Sequence, residues 1–98
     1  QLEGGIVMGM GYALTENFLV ENGYIKSTFA KLGLLRSTDI PPIETIIIGK
    51  SQESESYGAK GVGEIATIPI APAIASAYNA RANAFQHSLP LKGTPYSR

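Results

Sequence analysis

The 98-residue sequence has no cysteine and a single histidine, His87. The first absence excludes a disulfide scaffold, an iron–sulfur cluster held by this segment and a cysteine nucleophile. The second argues against a multi-histidine zinc site and against a triad built on several bases. An excess of one charge is missing as well, because eight basic residues balance eight acidic ones. That balance gives no footprint for nucleic acid or for an anionic membrane. No apolar run approaches the roughly 18 to 20 residues of a membrane helix. The composition also argues against intrinsic disorder, since 44% apolar and 16% charged residues are ordinary for a globular chain. The sequence opens at Gln1 without methionine and already inside a helical pattern, so a segment of a longer chain is expected.

Glycine and proline are plentiful, at eleven and six residues, which marks a loop-rich chain with several positions fixed by backbone geometry. Residues 1–19 read as a helix, with Leu2, Ile6, Met10, Leu14 and Phe18 every fourth residue along one face. Gly5 and Gly9 run beside that stripe. Glycine costs a helix about 1 kcal/mol relative to alanine, so its use there points to close approach by another backbone or by a ligand. Asn22-Gly23 suits a type I′ hairpin turn. Ile43–Ile48 is the best strand, rich in β-branched residues, and residues 51–56 read as an exposed polar loop. Residues 72–83 are alanine-rich and helical, with Ala73, Ala77 and Ala80 beside Ile74 and Tyr78 as the packing face. After Phe85 an extended stretch and frayed residues are expected. The fold class is α+β: two helices and a few strands around a glycine-rich loop.

That loop is Gly58-Ala59-Lys60-Gly61-Val62-Gly63-Glu64. It lacks the Gly-Lys-Ser/Thr of a Walker loop and the third glycine of a dinucleotide fingerprint. It offers unobstructed backbone N–H groups, a cation at Lys60 and a carboxylate at Glu64. Taken alone, the same residues fit a plain surface turn. His87 reads as a surface or partly buried histidine, Met8 and Met10 as core filler, and the five tyrosines show no stacking pattern.

Five ordered motifs change the balance. Gln1-Leu2-Glu3-Gly4-Gly5, Gly9-Met10-Gly11-Tyr12-Ala13-Leu14, Asp39-Ile40-Pro41-Pro42-Ile43, the glycine loop and Ala71-Pro72-Ala73-Ile74-Ala75 together resemble the molybdenum hydroxylases. The resemblance is to the C-terminal part of the molybdopterin-binding large subunit of the xanthine dehydrogenase and aldehyde oxidase family, and it covers nearly all of residues 1–98. It implies that Glu64 is the active-site general base and that Gln1 hydrogen-bonds near the molybdenum centre. It also implies that Ala59, Lys60, Gly61, Val62 and Gly63 pack against the cofactor. Molybdopterin holds its own metal in that family, so no side chain is expected to ligate molybdenum. The sequence departs from the family pattern at Met8, where many members carry glutamine, at residues 29–36, and at Ile65 and Ala66, where prolines are common.

The implied activity is oxidation of a purine, another N-heterocycle or an aldehyde, with water as the oxygen source, in the cytoplasm. The implied partners are the rest of the molybdopterin-binding subunit, iron–sulfur and FAD-binding domains or subunits, and a small-molecule substrate. Isolated, the segment is expected to bind no cofactor, to be inactive and to self-associate. The alternative is a free-standing, non-catalytic domain that binds a ligand or partner.

Overall fold

The computed structural model describes residues 1–49 and 55–97. Helix α1 spans Leu2–Leu14 and helix α2 spans Ile70–Ala82. Between them lie strand β1 (Val20–Glu21), strand β2 (Tyr24–Ile25) and three short 3₁₀ turns, at Phe29–Lys31, Ser37–Asp39 and Glu55–Gly58. The class is α+β, as expected. β1 and β2 pair antiparallel, with Val20 opposite Ile25 and Glu21 opposite Tyr24. Asn22 and Gly23 both have positive φ, 51° and 81°, as a type I′ turn requires.

The core is the crossing of α1 and α2, closed by the tail. Met10, Ala13, Leu14, Ala71 and Leu91 are buried together, with Ile6, Leu35, Ile70, Ile74, Ala75, Tyr78 and Tyr96 packed around them. Glycine permits the crossing. A Cβ built on Gly5 would lie 2.8 Å from the Ala66 Cβ, and one on Gly9 would lie 2.6 Å from the Ile70 Cβ. Real Cβ atoms essentially never come that close, so the approach of the Ala66 and Ile70 side chains to the α1 backbone explains both glycines.

Several expectations are corrected. α1 ends at Leu14 rather than at residue 19. The Asn17 N–H donates to the Leu32 carbonyl at 3.0 Å, and the Ser27 hydroxyl serves both the Leu19 N–H and the Asn17 carbonyl. Those backbone groups are therefore satisfied away from the helix. The strand expected over Ile43–Ile48 is not formed, and Ile46, Ile47 and Ile48 are exposed, Ile48 by 95%. β-Branched residues favour a strand only where a neighbouring strand receives their hydrogen bonds, and none does among the described residues.

In α2, Ala73, Ala77 and Ala80 face outward. The packing side carries Ala71 and Ala75 with Ile74 and Tyr78, the last two as expected. The tail is packed rather than frayed. Leu91 is 2% exposed, and its N–H donates to the Ala13 carbonyl at 2.8 Å. Gln86 ties the tail to α2: its side-chain Oε1 accepts from the Lys92 N–H, while its backbone N–H donates to the Asn79 side chain. The polar loop expected at residues 51–56 falls largely outside the described residues.

The Cα radius of gyration is 16.8 Å, against about 13 Å for a compact chain of this length. In the arm from Phe18 to Gly49 most side chains are exposed, while Leu35 packs against the core.

Candidate functional site

Gln1 is the N-cap of α1, yet its side chain does not cap the helix. Its carbonyl accepts from the Gly5 N–H at 3.0 Å and starts the helix. The side-chain amide turns away, and Nε2 donates to the Gly63 carbonyl at 2.8 Å, across 62 positions of sequence. The glycine seam makes that reach possible. With Gly5 seated on Ala66 and Gly9 on Ile70, the first turn of α1 lies over the turn that leads into α2.

That turn begins at the end of the glycine loop. Gly63 has φ +49°, a left-handed conformation that glycine adopts without steric cost. The Ile65 N–H donates to the Val62 carbonyl at 3.1 Å and the Thr67 N–H to the Glu64 carbonyl at 2.9 Å. Glu64 thus sits on a hydrogen-bonded bend one residue beyond the Gln1 contact. Its side chain is exposed and has no hydrogen-bond partner among the described residues. It is therefore a carboxylate on a fixed backbone, open to an incoming group.

The structure brings Gln1, Gly63 and Glu64 together. Ala59, Lys60, Gly61 and Val62 continue from them as exposed, irregular backbone. A Cβ on Gly61 or Gly63 would meet nothing within 4 Å, so this face presents backbone with open space before it. Among the described residues, no group of three or more His, Cys, Asp or Glu could hold a metal ion, and no helix is long and apolar enough to cross a membrane.

One polar group near the site escapes sequence reasoning. The Thr67 hydroxyl is buried without a hydrogen-bond partner, and it lies 3.4 Å from where a Cβ on Gly5 would stand. A lone threonine within an apolar run gives no signal of that environment. The Gln1–Gly63 contact is equally invisible to spacing, since it joins the first residue to the middle of the chain.

No family model matches the chain. It is similar to a probable xanthine dehydrogenase subunit of Bacillus subtilis (strain 168), 34% identical over 93% of this chain and 12% of the relative. It is also similar to a putative xanthine dehydrogenase molybdenum-binding subunit of Escherichia coli (strain K12), 29% identical over 93% of this chain and 12% of the relative. The beta subunit of isoquinoline 1-oxidoreductase from Brevundimonas diminuta is 31% identical over 94% of this chain and 11% of its own length. These relatives support the family to which the five motifs pointed. The chain spans about 12% of the length of the curated relatives it matches. Those relatives are named as subunits of xanthine dehydrogenase and related oxidoreductases.

The residues fit molybdopterin by the chemistry they offer. An amide at Gln1 supplies both a donor and an acceptor, the glycine loop leaves backbone open to a bulky group, and Glu64 supplies a carboxylate beside both.

Proposed function

We propose that residues 1–98 are part of a molybdopterin-binding large subunit and that Glu64 is its general base. The observation that carries this reading is the 2.8 Å hydrogen bond from Gln1 to Gly63. It joins the two motifs that the family resemblance assigns to the site and sets Glu64 next to both. In the parent enzyme Gln1 and residues 59–63 would line the cofactor, and when bound the molybdenum cofactor supplies the two-electron redox chemistry.

The reaction class converts a substrate C–H and a water molecule into C–OH, releasing two electrons and two protons. A proton acceptor is needed as the water-derived oxygen attacks carbon. Glu64 fills that role at a carboxylate oxygen, and such assistance is worth about 10²–10⁴-fold. The electrons leave through iron–sulfur and flavin domains or subunits elsewhere in the complex. Among purines, other N-heterocycles and aldehydes, the relatives' names favour N-heterocycles, since xanthine and isoquinoline both are. We place the enzyme in the cytoplasm.

The test is Glu64→Gln in the full-length parent. Size and hydrogen-bonding reach are kept while the proton acceptor is lost, so molybdenum content should hold. Reduction of the enzyme by substrate in a single turnover should slow at least about 10²-fold. Reoxidation of the pre-reduced enzyme should be nearly unchanged. A variant that is reduced as fast as wild type at full cofactor occupancy would leave the loop as a scaffold only.

A further inference from the structure

We infer that Gln1 is a positioning residue that aims Glu64 by holding the Gly63–Glu64 peptide plane; as a statement about catalysis this rests on the reading of Glu64 as the base. The Glu64 carboxylate has no hydrogen-bond partner among the described residues, so within this segment the backbone sets the point and direction from which the side chain leaves, its Cα–Cβ bond. Two peptide planes meet at the Glu64 Cα. The plane that follows is held within the bend, where the Glu64 carbonyl accepts from the Thr67 N–H at 2.9 Å.

The plane that precedes it contains the Gly63 carbonyl and the Glu64 N–H, and it hangs on a glycine at φ +49°. Glycine gives that plane little resistance to rotation. Its carbonyl is held by Gln1 Nε2 at 2.8 Å. The donor is itself well supported, because Gln1 starts a helix seated through Gly5 and Gly9 on Ala66 and Ile70. Nε2 serves the loop, so Oε1 is the atom of Gln1 that would remain as an acceptor for a bound group. Small misplacements of a reacting group can cost about 10²-fold in rate, so a freed plane should register in the chemical step.

The experiment uses the full-length parent enzyme with three substitutions at Gln1. Gln1→Met removes the donor and keeps the length, Gln1→Glu removes the donor but keeps an acceptor, and Gln1→Asn withdraws both polar atoms by one methylene. The first readout is amide hydrogen exchange across residues 63–67, which needs no turnover. All three variants should exchange there about tenfold faster, with melting temperature held and the kinetic readout expressed per molybdenum bound.

The second readout is single-turnover reduction by substrate, which should slow about 10- to 100-fold with little change in KM. In a Glu64→Gln background, Gln1→Met should add no further loss, since both act through one group. Unchanged exchange at residues 63–67 in any variant that folds overturns the inference. Multiplicative losses in the double variant overturn it too, because Gln1 would then act independently of Glu64. If Glu64→Gln alone has no effect, the general-base reading fails, while the exchange measurement still decides whether Gln1 holds the loop.

Discussion

Two halves of this chain contain similar apolar residues and treat them in opposite ways. In the half built from α1, the bend at 63–69, α2 and the tail, Met10, Ala13, Leu14, Ala71 and Leu91 are buried against one another. In the arm from Phe18 to Gly49, the side chains of Phe18, Val20, Tyr24, Ile25, Phe29, Ile46, Ile47 and Ile48 are exposed. Hydrophobicity is comparable in the two, so partnership makes the difference. The packed half has a seam of glycines that lets two helices close on each other. The arm has a hairpin of two-residue strands, too short to stand alone, two short 3₁₀ turns, and a run of isoleucines with no neighbouring strand among the described residues; Leu35 is its contact with the core. The candidate site belongs to the packed half.

Leu91→Ala should break the comparison most severely, because it opens a cavity where the tail closes the helix pair. A loss of about 3 kcal/mol is expected by urea denaturation of the 98-residue chain, within the usual range for a buried leucine. Gly9→Ala comes next, at about 2 kcal/mol from overpacking against Ile70. Gly4→Ala is its control, since a Cβ at Gly4 would meet nothing within 4 Å. That change should stabilise by about 1 kcal/mol through helix propensity alone. If both alanines behave alike, the glycine seam is not what seats α1.

Ile47→Lys sharpens the contrast from the other side. Ile47 is 82% exposed, so folding stability should stay within about 0.5 kcal/mol. Exposed apolar segments of this kind favour self-association, and light scattering should show the isolated chain passing from oligomer toward monomer with the substitution. A wild-type chain that is already monomeric would contradict this expectation.

What the sequence discloses divides along the same line. Local signals work where the cause is local: Asn22-Gly23 for the turn, the period of four in α1, and alanine content with Pro72 near the start of α2. They fail where the outcome depends on a distant partner. Ile43–Ile48 has the composition of a strand but lacks the ladder that would make it one. The end of α1 is hidden from the sequence because Leu32 and Ser27, far along the chain, take over the hydrogen bonding near Asn17. The outward turn of Ala73, Ala77 and Ala80 is hidden because α2 carries alanines on both its faces, and only the contact with α1 selects Ala71 and Ala75 as the packed ones. In the candidate site, Glu64 and the glycine loop are proposed through motif resemblance. The direct contact between Gln1 and Gly63 is legible only in three dimensions.

Helix α1 also has a mechanical consequence. Its 13 residues form a stiff rod about 20 Å long, with Gln1 attached to the glycine loop at one end. Near the other end, the Ala13 carbonyl is attached to Leu91 of the tail. Between them, Gly5 and Gly9 seat the rod at two points, on Ala66 and on Ile70. The tail and the loop bearing Glu64 are thus tied to opposite ends of one rigid element, so the packing of the tail helps to fix the helix end that carries Gln1.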